Sequence, residues 1–137
     1  MKLIVCLDDR NGMRFNGRRQ SRDRLMQQDL LGYVGGQPLY LSPSSAKLFA
    51  GYSQALLEVG EDFLDRAGEA DFCFVEDFDC VRLADQVREL VIYRWNRSYP
   101  ADLYFGLAPA ACGLVLTEQT DFPGSSHEKI TREVYKR

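Results

Sequence analysis

Apolar residues follow two rhythms along this chain. Lys2 to Leu7 reads as a continuous apolar run, as expected of a strand buried on both faces. Phe72 to Val75 and Glu89 to Trp95 repeat that pattern. Between such runs the spacing lengthens to that of helices. Met26, Leu30, Tyr33 and Val34 form an apolar stripe, which predicts a helix capped by Ser21, running to about Val34 and stopped by Gly35-Gly36. Asn11-Gly12 and Asn16-Gly17 mark a loop before it. Pro38 to Leu41 is a short second strand. Ser42-Pro43 then starts a helix, with serine as cap and proline in the first helical position, and Leu48, Phe49 and Tyr52 toward the core. Ala55 to Val59 reads as a third strand, and Glu61 to Ala67 as a short helix, acidic in its first turn and ended by Gly68. Asp79 caps a further helix that turns Val81, Ala84 and Val87 inward. Leu114 to Glu118 is a strand. Glu128 to Tyr135 is an antiparallel one, since Pro123-Gly124 permits only a tight return.

Alternation of strand and helix predicts βαβ units. No repeat, low-complexity tract or linker divides the chain, so residues 1–137 are expected to form one α/β domain. Its 137 residues are 45% hydrophobic, enough for a real core and against intrinsic disorder. No stretch reaches the roughly 18 apolar residues of a membrane span. The run from Met1 turns acidic at Asp8-Asp9 and has no room for the roughly 7–15 apolar residues of a signal peptide, so a cytoplasmic protein is expected.

Cys6, Cys73, Cys80 and Cys112 form no Cys-x-x-Cys pair, which argues against zinc and thioredoxin-like chemistry. Cys6 and Cys73 lie in apolar runs and read as buried, reduced thiols. A net charge of −3 does not suggest a dedicated nucleic-acid binder. Charge is uneven, however: Arg10, Arg14, Arg18, Arg19, Arg22 and Arg24 stand together with one acid, Asp23, among them.

An apolar strand, then an acid, then a glycine-bearing loop opens the chain at Leu3-Ile4-Val5-Cys6-Leu7-Asp8-Asp9-Arg10-Asn11-Gly12-Met13. Leu64 to Glu76 and Phe78 to Trp95 are two helix–strand units. Tyr99-Pro100-Ala101-Asp102-Leu103-Tyr104-Phe105 follows them, and Arg132 to Arg137 ends the chain. In this order the pieces resemble a shortened, divergent dihydrofolate reductase, over nearly the whole chain. The resemblance implies a three-layer fold: a mostly parallel central sheet, helices on both faces and an antiparallel C-terminal strand.

The departures bear on function. The family's cofactor strand ends in Gly-Gly, which lets the phosphates of a nicotinamide cofactor approach the backbone; Glu76-Asp77 occupies that place, where two carboxylates repel a pyrophosphate. Arg19-Gln20 replaces the family's Pro-Trp. The helix acid that protonates a pterin matches Asp23 only across a gap. Ser42-Pro43-Ser44-Ser45 replaces the arginine and threonine that grip cofactor phosphates, and one strand on the adenosine side is missing. NADPH-dependent reduction is therefore the lesser expectation.

Arg18 to Arg24 and Ser125 to Lys129 are also similar to runs in short uncharacterised bacterial proteins, some labelled ribonuclease Z. That enzyme binds two metals through a His-x-His-x-Asp-His signature and further histidines, whereas this chain has one histidine, His127. Cleavage of precursor tRNA is not expected.

Four constellations could carry chemistry. Asp8-Asp9 and Glu76-Asp77 end strands that are neighbours if the resemblance holds; four converging carboxylates could hold Mg²⁺, or be neutralised by arginines as a structural network. The Arg10–Arg24 segment could bind a small anionic or nucleotide-like ligand or RNA, or pair with those acids. Ser44 and Ser45 could hold an anion at a helix start, or only cap it. Arg94 to Tyr99 could stack on bases, or pack a strand end. His127 and Cys80 show no activating neighbour in sequence. The expected ligand-binding residues are Asp9, Arg18, Arg19, Asp23, Ser44, Ser45, Glu76 and Asp77, with no metal ligand and no resident cofactor assigned. The alternatives are a residual reductase or metal-dependent phosphate chemistry, and an RNA- or protein-interaction module.

Overall fold

A computed structural model describes residues 1–137. In chain order it runs β1 (Lys2–Leu7), β2 (Gly12–Phe15), β3 (Arg18–Arg19), α1 (Arg24–Val34), β4 (Leu39–Leu41), α2 (Pro43–Ala46), β5 (Leu57–Val59), α3 (Phe63–Arg66), β6 (Phe72–Phe74), β7 (Glu89–Arg94), β8 (Leu103–Tyr104), β9 (Val115–Phe122) and β10 (Ile130–Lys136). Seven strands make the main sheet in the order β5-β4-β6-β1-β7-β10-β9. The pairs β5–β4, β4–β6, β6–β1 and β1–β7 are parallel; β10 is antiparallel to both β7 and β9.

Apolar runs occupy the middle of this sheet because both of its faces are covered. Successive side chains of a strand point to opposite faces. In β1, Leu3, Val5 and Leu7 enter one core cluster and Ile4 the other. Cys73 and Val75 follow the first set and Phe72 and Phe74 the second; Leu90 and Ile92 are likewise opposed to Val91, Tyr93 and Trp95. Met26, Leu30 and Val34 of α1 cover the second face. Phe63 of α3, Leu83 and the segment carrying Phe105 and Leu107 cover the first. The expected three-layer arrangement, mostly parallel with an antiparallel last strand, is what the chain adopts. No helix is long and apolar enough to cross a membrane.

Several local expectations need correction. The cap of α1 is Asp23, not Ser21: its carboxylate accepts the N–H groups of Leu25 and Met26. The segment around Asn16-Gly17 is a hairpin rather than a loop, β2 pairing with β3 and on its other side with β8. Asn16 and Gly17 both have positive φ, 51° and 70°, as a two-residue type I′ turn requires. The helix expected after Asp79 is a single 3-10 turn at Val81–Leu83, and Val81 is 52% exposed. Asp79 does accept the Val81 N–H, but Cys80 stands between them at φ 66° and breaks the helical path. Strand β9 is longer than its apolar start, because β10 supplies hydrogen bonds whatever the side chains are.

Candidate ligand site at the carboxyl end of the sheet

Parallel strands β1, β4, β6 and β7 end on the same side, and the register Thr131↔Arg94 brings the start of β10 there too. The carboxyl end of an open α/β sheet is where ligands collect. In this chain Asp8, Ser42–Ser45, Glu76 and Trp95 follow the strands, while Asp23 and His127 arrive from the flanking elements.

Asp8 is the buried member of its pair. One of its oxygens, Oδ1, accepts the N–H groups of Arg10 at 2.9 Å and Gly12 at 2.7 Å; Oδ2 accepts the Gln20 amide at 3.0 Å and the Tyr99 N–H at 3.1 Å. Burial opposes the charged form, but these four donors outweigh it and hold the Asp8 pKa below the ordinary carboxylate range. Gly12 has to be glycine here: a Cβ on it would lie 2.6 Å from the Gln20 amide nitrogen and 2.9 Å from Asp8 Oδ1. Asp9 is exposed and receives only the Ser98 hydroxyl, at 3.5 Å.

Glu76 is buried and held by three donors. Arg19 grips it through Nε and Nη2, both at 2.9 Å, and the Ser45 hydroxyl donates at 2.7 Å. This bidentate fork clamps the β2–β3 hairpin to the end of β6. The Ser45 N–H in turn donates to the Ser42 hydroxyl oxygen, as in a capped first turn. Asp77 is exposed. The four carboxylates therefore form no magnesium site, and no group of three or more His, Cys, Asp or Glu side chains is placed to hold a metal ion.

Asp23 lies at the centre of a second network. Oδ1 accepts the N–H groups of Leu25 (2.9 Å), Met26 (3.1 Å) and Ser125 (3.0 Å). Oδ2 accepts the Ser126 N–H at 2.7 Å and His127 Nδ1 at 3.0 Å. Desolvation raises its pKa, yet His127 and the backbone donors pull it well below the ordinary value. Gly124 permits this packing, since a Cβ there would come within 2.5 Å of Asp23 Oδ2. Such a carboxylate has no free lone pair to offer a ligand, so the ligand-facing role suggested for Asp23 gives way to a structural and orienting one. His127 is not isolated, as its sequence surroundings imply. Its Nε2 lies 2.8 Å from the Tyr99 hydroxyl and 3.2 Å from Ser21 Oγ, and Trp95 stacks on its ring at 4.6 Å.

Arg14, Arg18, Arg19 and Arg22 line an open cleft of about 630 Å³ together with Gly17, Ser21 and Ser44. No lining residue is hydrophobic. Of the four arginines only Arg19 makes an ion pair, with Glu76; Arg14, Arg18 and Arg22 have none, and Arg14 Nε is buried without a hydrogen-bond partner. The arginine segment is thus mostly not spent on neutralising strand-end acids. Of the expected ligand residues the cleft collects Arg18, Arg19 and Ser44; Glu76 and Ser45 stand behind it as support. Arg14, Ser21 and Arg22 also line it; they lie inside the Arg10–Arg24 segment that the sequence singles out but are not among the expected ligand residues, while Asp8 and Tyr99, members of two other expected constellations, stand outside the cleft. The burial of Asp8 has its own local signal, an aspartate two residues before an N–H it accepts, in a turn ending at Asn11-Gly12.

Three of the four cysteines are poor nucleophiles. Burial pushes the thiols of Cys6, Cys73 and Cys80 upward, that of Cys73 to about 12. Ellman's reagent should therefore titrate at most one thiol quickly in the native protein, the half-buried Cys112, and the others only after denaturation. Two or more fast thiols before unfolding would contradict this packing.

No protein-family model matches the chain, and no curated protein matches it. Among solved structures it is similar to dihydrofolate reductase from Enterococcus faecalis, determined in complex with NADP(H) and RAB-propyl, with a TM-score of 0.66, 10% sequence identity, and 99% of this chain and 95% of that one covered. Identity that low speaks for architecture alone: the chain has a dihydrofolate reductase-like fold.

Proposed function

We propose that this domain binds a small phosphate-bearing ligand in the arginine cleft, and that it is not a nicotinamide-dependent reductase. One observation carries the first half: three arginines without acid partners line one cleft with two serine hydroxyls, at the sheet end where ligands gather. Ligand pockets are usually mostly apolar. A lining with no hydrophobic residue suits a compact, strongly charged ligand rather than a flat aromatic one. For the second half, the residues present do not fit the cofactor that the fold resemblance implies. Where a pyrophosphate has to approach backbone, Glu76 presents a buried carboxylate already bound by Arg19 and Ser45, with exposed Asp77 beside it.

Calorimetry with pyrophosphate and with NADPH tests both halves. Pyrophosphate should bind saturably. Arg18→Ala and Arg22→Ala should each weaken it about tenfold to a hundredfold, since a hydrogen bond to a charged group contributes roughly 1.5–3 kcal/mol. Absence of saturable binding, or indifference to both substitutions, refutes the anion reading. NADPH binding in the low micromolar range refutes the exclusion of the cofactor.

A second reading, RNA binding, has one specific support. Phe15 of β2 and Tyr104 of neighbouring β8 are 42% and 48% exposed beside the arginine hairpin, and exposed aromatics with arginine suit unpaired bases. A single-stranded RNA that binds more tightly than pyrophosphate, and weakens on Phe15→Ala, would favour it.

A further inference from the structure

From the same cleft we infer a second property: Ser21 is a nucleophile, activated by His127 and Asp23, that cleaves acyl esters whose phosphate or carboxylate group is seated on the arginines. The substrate class rests on the anion reading above; the nucleophile rests on separate geometry.

Asp23 accepts at both oxygens, so the His127 nitrogen facing it, Nδ1 at 3.0 Å, has to carry the proton. Nε2 then presents the lone pair. Two hydroxyls lie within reach of it, Ser21 Oγ at 3.2 Å and Tyr99 at 2.8 Å. Nucleophile, base and orienting carboxylate in hydrogen-bond series are the arrangement that activates a serine. Five donors fix the carboxylate, and the stacked Trp95 fixes the ring. The imidazole side chain is only 1% exposed. Toward the arginine cleft it therefore acts only through a hydroxyl, and of the two Ser21 is the one lining that cleft. A purely structural link between α1 and the turn before β10 is already complete with Asp23 and the N–H groups of Ser125 and Ser126; it has no need of a serine facing that cleft.

Tyr99 sets the resting state. A single lone pair cannot serve two donors fully, and the phenol is nearer. When the phenol turns away, Ser21 Oγ donates to Nε2 and attacks the ester carbonyl carbon. The new C–O bond forms as the hydroxyl proton passes to Nε2. Collapse of the tetrahedral adduct breaks the bond to the leaving oxygen, which takes that proton from Nε2. Water then attacks the acyl-serine, giving one proton to Nε2; the acid departs and Ser21 Oγ recovers the proton. The balance is ester plus water to acid plus alcohol. Arg14, Arg18 and Arg22 have no acidic partner in the protein, so the cleft in which the adduct's negative charge develops is basic beyond what the seated anionic group neutralises.

The test is covalent labelling of the full chain with a fluorophosphonate, read by peptide mass spectrometry. An adduct on Ser21 is expected, absent in Ser21→Ala and slowed about 100-fold or more in His127→Gln, the usual contribution of a general base. Because His127→Gln could fail to fold, Tyr99→Phe is the second variant: with the competing phenol gone, labelling of Ser21 should become faster. An unmodified Ser21 in protein with an intact melting transition overturns the inference, as does slower labelling in Tyr99→Phe. Pyrophosphate titration of the same preparation separates the two readings: binding without an adduct removes only the nucleophile, and an adduct without binding removes only the anion site.

Discussion

Replacing Asp23 by asparagine is expected to cost about 3–5 kcal/mol, since at least two buried donors lose a charged acceptor, and to lower the melting temperature by roughly 10 °C or more. All five of its partners are donors. An amide offers one acceptor oxygen and one NH₂, so whichever way it turns, a donor faces at least two donors. The damage is shared between distant parts of the chain, because the same carboxylate caps α1 and holds the Ser125–His127 turn. The sign of the pH dependence follows. Asp23 has a depressed pKa when folded and about 3.9 when unfolded, so its contribution is complete above about pH 4 and is lost as pH falls toward the folded value. Urea midpoints of wild type and Asp23→Asn should therefore lie farthest apart at about pH 7 and begin to draw together as pH falls below about 4. A constant gap would mean that the carboxylate's charge is not what stabilises the turn.

Arg19→Ala should be the second costly change, by about 2–3 kcal/mol, since it strands the buried Glu76 carboxylate with only the Ser45 hydroxyl. Arg19 is itself 25% exposed, and water entering its place keeps the loss below that of a fully buried pair. Arg19→Lys should recover only part, because an ammonium cannot reproduce the two-pronged contact. Combining Arg19→Ala with Glu76→Gln should recover most of it, since the unpaired charge is then gone. Arg18→Ala, which breaks no ion pair, should stay within about 0.5 kcal/mol of wild type. Urea denaturation of these four proteins measures the set. Equal losses for Arg18→Ala and Arg19→Ala would show that the clamp is not structural. Anion affinity should rank the two the other way round, Arg18→Ala being the more damaging.

The division between these arginines marks the limit of what sequence alone can tell. Six arginines around Arg10–Arg24 are visible as a cluster, and a carboxylate pair at the end of β6 is visible as a departure from the family the sequence resembles. Which arginine reaches Glu76 depends on the hairpin register Arg14↔Arg19 and on where that hairpin lies across the sheet. Register is a property of pairing, not of composition.

Local chemistry determined a good deal on its own. Apolar runs such as Leu3 to Leu7 declare buried parallel strands, because only a strand covered on both faces tolerates them. Their alternation with helical stripes declares the α/β class, and Ser42-Pro43 declares a helix start that α2 adopts. Tertiary structure decided what these local signals leave equal. Of Asp8 and Asp9 it buried the first, since Gln20 and the Tyr99 N–H arrive from elsewhere to satisfy it. Asp23 and His127, 104 residues apart, became partners. A histidine without neighbours in sequence acquired an acid, two hydroxyls and an aromatic face only when the antiparallel closure of β10 on β7 carried it to the start of α1. Contacts of that span come from strand order, and strand order is set by how the two cores close around the sheet rather than by any residue's own preference.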